Sequence, residues 1–345
     1  MQQSPKVKFA LVGCGLVAQR HAQHINAQPE ASLVGVYDID IAKGKSFAQQ
    51  YKCVAFDSYA ELLGKNLDMV NICTPNGTHA ALSIEALEQG KNVLVEKPMA
   101  IHKTDAEAML HTALRCEKKL YVVKQNRYNP PVQAVKQLLR TKQLGKIGSV
   151  VVNCFWNRND AYYQSSSWRG TRALDGGTLF TQFSHFIDIL YYLFGDVVPQ
   201  QGIIRNFNHQ HTIEFEDTGN FTFWLPNVQA IGSLNYTTAA YRQNMEGSLS
   251  IFAENATIKI GGKYLNTIDY QATAGFDLEN IPTSLPANNY GYYEGSMSNH
   301  HQIIDNVVQT LRGNQHIMTN AYEGLKVVEI IENFYACAKD FSTKN

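Results

Sequence analysis

Two stretches of the sequence carry residues whose type and setting could do chemistry. In residues 93–99, VLVEKPM, an apolar run stops at a carboxylate, an amine and a proline. Lys97 is either an ordinary charge that closes a strand or a group placed there for catalysis. In residues 175–190, DGGTLFTQFSHFIDIL, apolar residues surround a helical pattern almost completely, so the burial of His185 needs a reason.

Helical spacing puts Thr181, His185 and Asp188 on one face of this segment, with Thr178 and Gln182 beside it. An isolated histidine of this kind is most often a hydrogen-bonded core residue. Two observations favour chemistry instead. Asp188 follows three residues later, and a hydride-transfer enzyme needs a group that accepts a hydroxyl proton near neutral pH.

A glycine motif of the form G-x-G-x-x-A directly follows the first apolar run and opens a helix. Gly13 permits a tight turn, Gly15 lets the main chain approach a pyrophosphate, and the small third residue allows close packing. The helix amides at Leu16 and Val17 would receive the phosphate charge. Asp38 ends the next strand, where a carboxylate would hold ribose hydroxyls and repel a 2′-phosphate, so the predicted cofactor is NAD.

A parallel sheet is the element that would bring these residues together. Residues 1–126 alternate short apolar runs with helical patterns, which predicts an α/β fold with an NAD-binding Rossmann domain. Residues 127–345 alternate in the way of strands joined by tight turns, interrupted by an apolar helix at 179–194 and closed by helices at 296–312 and 321–339. They predict an α+β domain with a large, mostly antiparallel open sheet that binds substrate and mediates oligomerisation.

Ligands of open parallel sheets bind outside the carboxyl ends of the strands. Polar residues follow three of the predicted strands, and we expect the cofactor to contact Thr74, Asn76, His79, Glu96, Lys97 and Gln125. The residues that continue the last of these loops are candidates for substrate contacts: Arg127, Tyr128 and Asn129.

Composition excludes several other classes of function. Thirty basic residues balance thirty acidic ones, so no global field favours nucleic acid or an anionic membrane. Six scattered cysteines without a C-x-x-C pair indicate reduced thiols in a cytoplasmic protein, and no apolar run reaches the roughly 20 residues of a membrane helix. No metal site is predicted, because histidine pairs such as His209 with His211 and His300 with His301 lack acidic partners at suitable spacing.

The glycine motif, Asp38, TPNGTH, EKP, NRYNP and the GG pair followed by His185 occur in one order along the chain. Together they resemble the glucose-fructose oxidoreductase, inositol dehydrogenase and rhizopine-catabolism (Gfo/Idh/MocA) family over nearly the whole chain. The resemblance implies a Rossmann domain, an α+β domain with an open mixed sheet, NAD(P), and oxidation or reduction at a sugar or cyclitol carbon. It also implies a homodimer or homotetramer packed through the sheet.

A narrower resemblance comes from YVVKQNRYNPPV and WRGTRALDGG, which look like the UDP-N-acetyl-2-amino-2-deoxyglucuronate 3-dehydrogenases of bacterial surface-polysaccharide synthesis. It implies that NAD oxidises the C3 hydroxyl of a nucleotide sugar to a ketone, with 2-oxoglutarate re-oxidising NADH in some relatives. The alternatives are an inositol or free-sugar dehydrogenase of catabolism and a non-catalytic NAD-binding sensor. A sensor has no need for Lys97 and His185 together.

By this resemblance Lys97 would donate to the C3 oxygen or move its proton, and partial desolvation near the nicotinamide cation should lower its pKa. His185 is the competing base or a proton relay. Many relatives carry aspartate at the position of Thr181, so His185 is expected to lack the usual carboxylate neighbour, and the principal base stays open. The remaining candidates are Trp168 and Arg169 for the cofactor, and Tyr163, Thr181, Gln182 and His185 for the substrate, with Tyr162 for either. The two tyrosines, Trp168 and Arg169 could form a surface loop instead.

Overall fold

The computed structural model describes residues 5–278, 280–291 and 293–342. Two compact units make up the chain. The first holds the residues up to Lys124 together with His300–Val328, and the second holds Gln125–Asn299 and the residues from Glu329 on. The boundary after Lys124 lies two residues from the predicted one. The sequence predicted two domains that are each continuous in the chain, whereas His300–Val328 here belongs to the first unit.

The first unit is built on a sheet of six parallel strands. Its strands are β1 (Val7–Val12), β2 (Ala31–Tyr37), β3 (Val54–Ala55), β4 (Met69–Ile72), β5 (Asn92–Val95) and β6 (Leu120–Val122). Its first helices are α1 (Leu16–Ala27), α2 (Ile41–Tyr51), α3 (Tyr59–Leu63), α4 (His79–Glu88) and α5 (Lys103–Arg115). The strand order β3-β2-β1-β4-β5-β6 confirms the predicted Rossmann sheet and puts its switch point between β1 and β4.

The central strands of this sheet are apolar because both faces are covered. All four residues of β4 are buried, as are the last three of β5. On α1 the residues buried against the sheet recur every three or four positions, from Ala18 to Ile25. Such strands leave little room for polar side chains along their length, and the polar groups of the unit gather where the strands end.

The second unit is built on a sheet of eight strands. Its helices are α6 (Pro130–Arg140), α7 (Asp160–Gln164), α8 (Thr178–Thr181) and α9 (Ser184–Phe194). The eight strands of this sheet are β7 (Ile147–Phe155), β8 (Val198–Arg205), β9 (Thr218–Leu225), β10 (Ala230–Thr237), β11 (Glu246–Ala253), β12 (Ala256–Gly261), β13 (Thr267–Thr273) and β16 (Ala338–Asp340). A separate hairpin consists of β14 (Ala287–Asn289) and β15 (Glu294–Met297). The order β13-β12-β11-β7-β10-β9-β8-β16 is antiparallel except at β7–β10 and β8–β16, which confirms the predicted mostly antiparallel sheet.

One face of this sheet carries large exposed apolar side chains. Val198 on β8 pairs in register with Trp224 on β9, and Trp224 pairs with Ile231 on β10. Ser149 on β7 lies between Ile231 and Phe252 of β11, which completes one row across five strands. Ile231 is 62% exposed and Phe252 is 45% exposed. The row, which we call the exposed apolar row, is an unusual amount of apolar surface for one face of a sheet.

The two closing helices are α10 (His300–Leu311) and α11 (Ala321–Ala336). The predicted helix at 296–312 begins later than expected because Ser296 and Met297 belong to β15. Two hydrogen bonds join α10 to the rest of the first unit: Gln28 donates to Asp305 at 2.8 Å, and Gln309 donates to Glu30 at 2.8 Å.

Among the described residues no helix combines the length and the apolar character that crossing a membrane requires.

Candidate active site

The glycine turn joins β1 to α1 in the first unit. Gly13 has a φ of +88°, and a Cβ there would lie 2.7 Å from the carbonyl oxygen of Cys73, so the turn requires glycine. Gly15 caps α1 without a side-chain hydrogen bond, and a Cβ there would meet no atom within 4 Å. Open space and the first amides of α1, at Leu16 and Val17, fit a dinucleotide pyrophosphate.

Asp38 is fixed beside this turn at the end of β2. Its Oδ2 accepts a hydrogen bond from the main-chain amide of Cys14 at 2.7 Å and lies 3.2 Å from Nζ of Lys43. Its Oδ1 accepts from the amide of Asp40 at 3.0 Å. These contacts fix the carboxylate beside the glycine turn, and a contact with ribose hydroxyls stays a prediction. Lys43 is a neighbour that the sequence reading did not identify.

His79, which the sequence predicted to contact the cofactor, contacts main-chain carbonyl groups. It is fully buried, with Nδ1 2.7 Å from the carbonyl oxygen of Pro98 and Nε2 2.9 Å from that of Thr74. Both ring nitrogens are engaged, so His79 ties the loop after β4 to the loop after β5, and the predicted cofactor contact stays a prediction. Thr74 lies against the glycine turn, since its Cγ2 would be 3.0 Å from a Cβ at Gly13, and Asn76 is buried in the same loop.

The carboxylate of Glu96 binds protein atoms. The side chain is buried, with Oε1 2.7 Å from Nε2 of His21, and Oε2 accepts a hydrogen bond from the main-chain amide of Lys97 at 3.1 Å. The predicted cofactor contact of Glu96 stays a prediction. Lys97 is partly buried, and its peptide bond to Pro98 is cis.

Two histidines that were expected to lack acidic partners have them. Nε2 of His300 lies 3.6 Å from Oε1 of Glu96, and Nδ1 of His209 lies 2.9 Å from Oδ2 of Asp217. The expectation was wrong because it considered neighbours along the chain. Folding brings Glu96 and His300 together across about two hundred residues, which no spacing rule anticipates.

In the second unit, the helix predicted over 179–194 is two helices. The carbonyl of Thr178 accepts from the amides of both Gln182 and Phe183, at 3.0 and 3.2 Å, which closes α8. The carbonyl of Phe183 then accepts from Phe186 and Ile187 and starts α9. Thr181 and His185 therefore lie on different helices, and their spacing is not that of one continuous face.

A buried carboxylate does stand beside position 181. The hydroxyl of Thr181 donates to the Asp175 carboxylate and lies 3.0 Å from the Asp175 carbonyl oxygen. Asp175 is 1% exposed and its Oδ2 accepts from the amide of Gly170 at 2.7 Å. Asp175 is thus a carboxylate beside position 181 that the sequence analysis did not identify, and the expected lack of a carboxylate neighbour at His185 stays a prediction. The signal that could have identified Asp175 is its position directly before the two glycines.

Arg127 and Asp188 form a buried ion pair. Nε of Arg127 donates to Oδ2 of Asp188 at 2.9 Å and one terminal nitrogen donates to Oδ1 at 2.7 Å, a bidentate geometry. The two side chains are 0% and 2% exposed. Asp188 therefore binds Arg127, and its expected influence on His185 stays a prediction. A substrate contact by Arg127 stays a prediction.

Two further candidates bind protein atoms. Asn129 is fully buried, donates to the carbonyls of Tyr264 and Leu265, and accepts from Asn299, while its substrate contact stays a prediction. Gln125 is buried and donates to the hydroxyl of Ser296 at 2.7 Å, while Tyr128 is half-buried beside it in the chain.

Aromatic, amide and guanidinium groups meet next to α8. Gln182 accepts from Nε of Arg158 at 2.7 Å and donates to the hydroxyl of Tyr162 at 2.6 Å. The guanidinium of Arg169 lies 4.2 Å from the centre of the Tyr162 ring. Tyr162 and Tyr163 are 4% and 3% exposed, so the alternative of a surface loop is wrong for both. Arg158 was missed, because an isolated arginine at a strand end gives no pattern.

His185 and Trp168 complete the predicted set. His185 lies in the first turn of α9 and is 5% exposed, while Trp168 is half-buried next to Arg169 in the chain.

Burial raises the pKa of Tyr163 well above its usual value, so the phenol of Tyr163 stays protonated.

Comparison with known proteins gives matches along most of the chain. Residues 7–124 match the model of an oxidoreductase family with an NAD-binding Rossmann fold, and residues 132–259 match the GFO/IDH/MocA C-terminal domain. The WlbA dehydrogenase of Chromobacterium violaceum, solved with NADH and UDP-GlcNAcA, is 34% identical, with 97% of this chain and 94% of that chain covered and a TM-score of 0.88. The WlbA dehydrogenase of Bordetella pertussis, solved with the same ligands, is 32% identical, with 96% of each chain covered and a TM-score of 0.86.

A curated relative matches over a shorter length. Glucose-6-phosphate 3-dehydrogenase of Bacillus subtilis is 32% identical over 190 residues, which is 54% of this chain and 53% of that protein. The chain thus spans about half the length of this relative.

Proposed function

We propose that this chain, which belongs to the Gfo/Idh/MocA oxidoreductase family, oxidises the C3 hydroxyl of a UDP-linked N-acetylamino-sugar uronate to the 3-keto sugar with NAD. The observation that carries the proposal is the similarity, along 96% or more of the chain, to two dehydrogenases solved with NADH and UDP-GlcNAcA. The product would enter O-antigen, lipopolysaccharide or other surface-polysaccharide biosynthesis.

Proton handling at the C3 oxygen is the task proposed for Lys97. NAD, when bound at the glycine turn and Asp38, supplies the hydride acceptor. The reaction develops negative charge on the C3 oxygen, which a partly buried amine stabilises by donating a hydrogen bond. His185 is the competing base or the relay that passes the proton on. Its burial suits either task, because a base excluded from water exchanges its proton with the groups it contacts.

Recognition of the nucleotide sugar is proposed for the group next to α8. A uronate carboxylate or a diphosphate suits the planar donors of an arginine, and Arg169 is held against Tyr162 in an orientation fixed by that ring. Gln182 and Tyr163 offer an amide and a phenol to sugar hydroxyls. Thr181 and Tyr128 remain candidates for the same substrate.

The second candidate is a dehydrogenase of free sugars, sugar phosphates or inositols in catabolism. The match to a glucose-6-phosphate 3-dehydrogenase favours it, although that match spans about half of each chain. A non-catalytic NAD-binding sensor is the third reading, and it has no use for an amine at Lys97.

One assay separates these candidates. Purified protein is incubated with NAD and a panel of UDP-sugars, UDP-uronic acids, inositols, free sugars and sugar phosphates, and NADH is followed by its absorbance, with and without 2-oxoglutarate. Turnover of a UDP-N-acetylamino uronate, with the ketone located at C3 by reduction with borodeuteride and mass spectrometry, supports the proposal. Turnover of an inositol or a free sugar without any nucleotide sugar contradicts it, and failure on the whole panel favours the sensor.

The proposal extends to the oligomeric state of the protein and to its cellular compartment. A homodimer or homotetramer would bury the exposed apolar row, whose Ile231 and Phe252 otherwise face solvent. The six cysteines are free thiols, which suits the reducing cytoplasm where UDP-sugars are made. The oligomer is measured by light scattering of the purified chain, and Ile231→Lys should reduce its mass. 2-Oxoglutarate is the proposed acceptor if NADH stays bound.

A further inference from the structure

Three buried titratable side chains meet next to the Lys97 loop, and the chemistry proposed above uses none of them. His21 comes from α1, Glu96 follows β5, and His300 is the first residue of α10. They are 0%, 6% and 1% exposed. Because buried polar groups destabilise a fold unless they are paired, the cluster requires an explanation.

The contact between His21 and Glu96 is a direct hydrogen bond. Nε2 of His21 lies 2.7 Å from Oε1 of Glu96, a length typical of a charge-assisted bond. Two ligands of one tetrahedral zinc ion, each about 2.1 Å from the metal, would lie roughly 3.4 Å apart. The distance therefore favours a histidine–carboxylate pair over a metal site made of His21, Glu96 and His300.

Glu96 is ionised in this setting. Burial alone would raise the pKa of Glu96, but its interactions with His21 and His300 outweigh burial and hold the pKa well below its usual value. Nδ2 of Asn71 lies 3.1 Å from Nδ1 of His21, so Nδ1 accepts and Nε2 carries the hydrogen that Glu96 receives.

His300 adds a second, weaker contact. Its Nε2 lies 3.6 Å from Oε1 of Glu96, too far for a hydrogen bond, and among the described residues neither of its ring nitrogens has a hydrogen-bond partner. Its ring meets that of His21 edge to face at 5.4 Å between centres. His300 thus closes the cluster from α10 and keeps Glu96 from turning away from His21.

The second oxygen of Glu96 holds Lys97. Oε2 accepts the main-chain N–H of Lys97 at 3.1 Å. One carboxylate therefore joins α1, whose first turn fits the pyrophosphate, to the main chain of the residue proposed to handle the proton. The other side of the loop is held by His79, 2.7 Å from the carbonyl oxygen of Pro98.

We infer that Glu96 is a positioning residue for Lys97, held in place by His21 and His300. The inference rests on the proposed role of Lys97. A glutamine at position 96 has one acceptor oxygen for two donors, so either His21 or the Lys97 amide loses its acceptor. A misplacement of about 1 Å is enough to slow a reaction roughly 100-fold. Lys97 directly follows Glu96 in the chain, and a negative charge favours the protonated form of an amine near it, so we expect loss of the charge to move the pH dependence of turnover to lower pH.

Glu96→Gln tests this, because it keeps the size of the side chain and removes its charge. We expect kcat to fall about 10- to 100-fold, with KM and the Kd for NAD changed less than about threefold and the profile of kcat against pH moved to lower pH. The matched control is Glu88→Gln on the exposed side of α4, which should leave all four quantities unchanged. The other titratable groups around the cluster, present in all variants, are Arg20, His24, Cys73, His79 and His301.

A second variant covers the case in which Glu96→Gln does not fold. Glu96→Asp keeps the charge but withdraws the carboxylate from both the imidazole and the Lys97 amide, so kcat should fall while the pH profile stays in place. Wild-type kcat in Glu96→Asp overturns the inference, as does an unchanged kcat and pH profile in a folded Glu96→Gln. Stoichiometric zinc in the purified wild-type protein, measured by plasma mass spectrometry, overturns it as well.

A lack of turnover with the proposed substrate would count against the proposed function and not against this inference. If the wild-type protein turns over nothing on the panel, the lysines are dimethylated with carbon-13 and the NMR signal of Lys97, assigned by its loss in Lys97→Arg, is titrated. A midpoint that moves to lower pH in Glu96→Gln supports the inference without any turnover. Identical midpoints in the two proteins overturn it.

Discussion

Two kinds of buried polar contact can be compared between the units. In the first unit, Asp38 and His79 bind main-chain atoms, at the Cys14 amide and at two carbonyl oxygens. In the second unit, the opposite charges of Arg127 and Asp188 bind each other. Parallel strands end at one edge and present several loops there, whereas the second unit draws its polar groups from helices, loops and strands far apart in sequence.

This difference predicts whether a substitution lowers activity or stability. A side chain that clamps a loop can be removed without leaving a charge buried, so the loop moves and activity declines. Removal of one member of a buried side-chain pair leaves its partner in an apolar interior, so the folded state itself is destabilised. Substitution of a side chain that holds a loop by its main-chain atoms should therefore affect turnover first, and substitution within the Arg127–Asp188 pair should affect stability first.

The largest effect should come from Lys97→Ala. Proton handling is worth roughly 10²- to 10⁴-fold in rate, so kcat should fall by that factor. Calorimetry should find the Kd for NAD nearly unchanged, because the glycine turn and Asp38 are intact. Lys119→Ala, at an exposed position of the same unit, is the control. A variant with normal turnover would remove Lys97 from the mechanism.

Asp188→Asn should give the next largest effect, and on stability. It leaves the buried guanidinium of Arg127 without its carboxylate, a change that typically destabilises a protein by about 3–5 kcal/mol. All three tryptophans, Trp156, Trp168 and Trp224, belong to the second unit, so their fluorescence during urea unfolding reports on that unit.

The control for this experiment is an exposed ion pair. Glu88→Gln breaks the surface contact with Arg115, and exposed pairs contribute no more than about 1 kcal/mol. Circular dichroism follows this variant, since it lies in the first unit. Equal losses in the two variants would contradict the contrast drawn between the units.

Glu216→Gln should give the smallest of these effects, visible as a change in pH dependence. Burial raises the pKa of Glu216 from 4.5 to about 7, against hydrogen bonds from Tyr335 at 2.8 Å and Tyr236 at 3.0 Å that lower it. A raised carboxyl pKa stabilises the folded state below about pH 4.5, and this contribution is lost as the pH rises to about 7.

The variant should therefore be more stable than wild type at pH 8, by up to about 3 kcal/mol for a shift of this size, and the difference should vanish near pH 4.5. Urea unfolding followed by tryptophan fluorescence at several pH values gives the difference directly. A difference that does not change with pH would show that the pKa of Glu216 is the same in the folded and the unfolded protein.

The sequence predicted most of the first unit and less of the second. The strands β1, β2, β4, β5 and β6 begin and end within one residue of the apolar runs, because strands covered on both faces must be apolar along their length. The edge of the sheet followed from parallel topology. The contacts of the polar side chains at this edge could not be predicted in the same way. His79 contacts the Pro98 carbonyl and Glu96 contacts His21, and both partners lie on other elements of the unit.

The second unit resisted prediction for a related reason. His185 and Thr181 were identified by helical spacing, but the break at Gln182 depends on hydrogen bonds to one carbonyl that no periodicity reveals. Asp175 and Arg158 were missed because their partners, Thr181 and Gln182, lie on another element. A pattern along the chain finds faces of elements, and it does not find the contacts between them.

The return of His300–Val328 to the first unit has a consequence for synthesis. The ribosome must translate the whole of Gln125–Asn299 before the residues that complete the first unit emerge. Until then His21 and Glu96 lack His300, and Gln28 and Glu30 lack their partners on α10. The nascent Rossmann unit therefore waits on the ribosome in an incomplete form, and a nonsense codon ahead of residue 300 would impair both units rather than release a finished NAD-binding fragment.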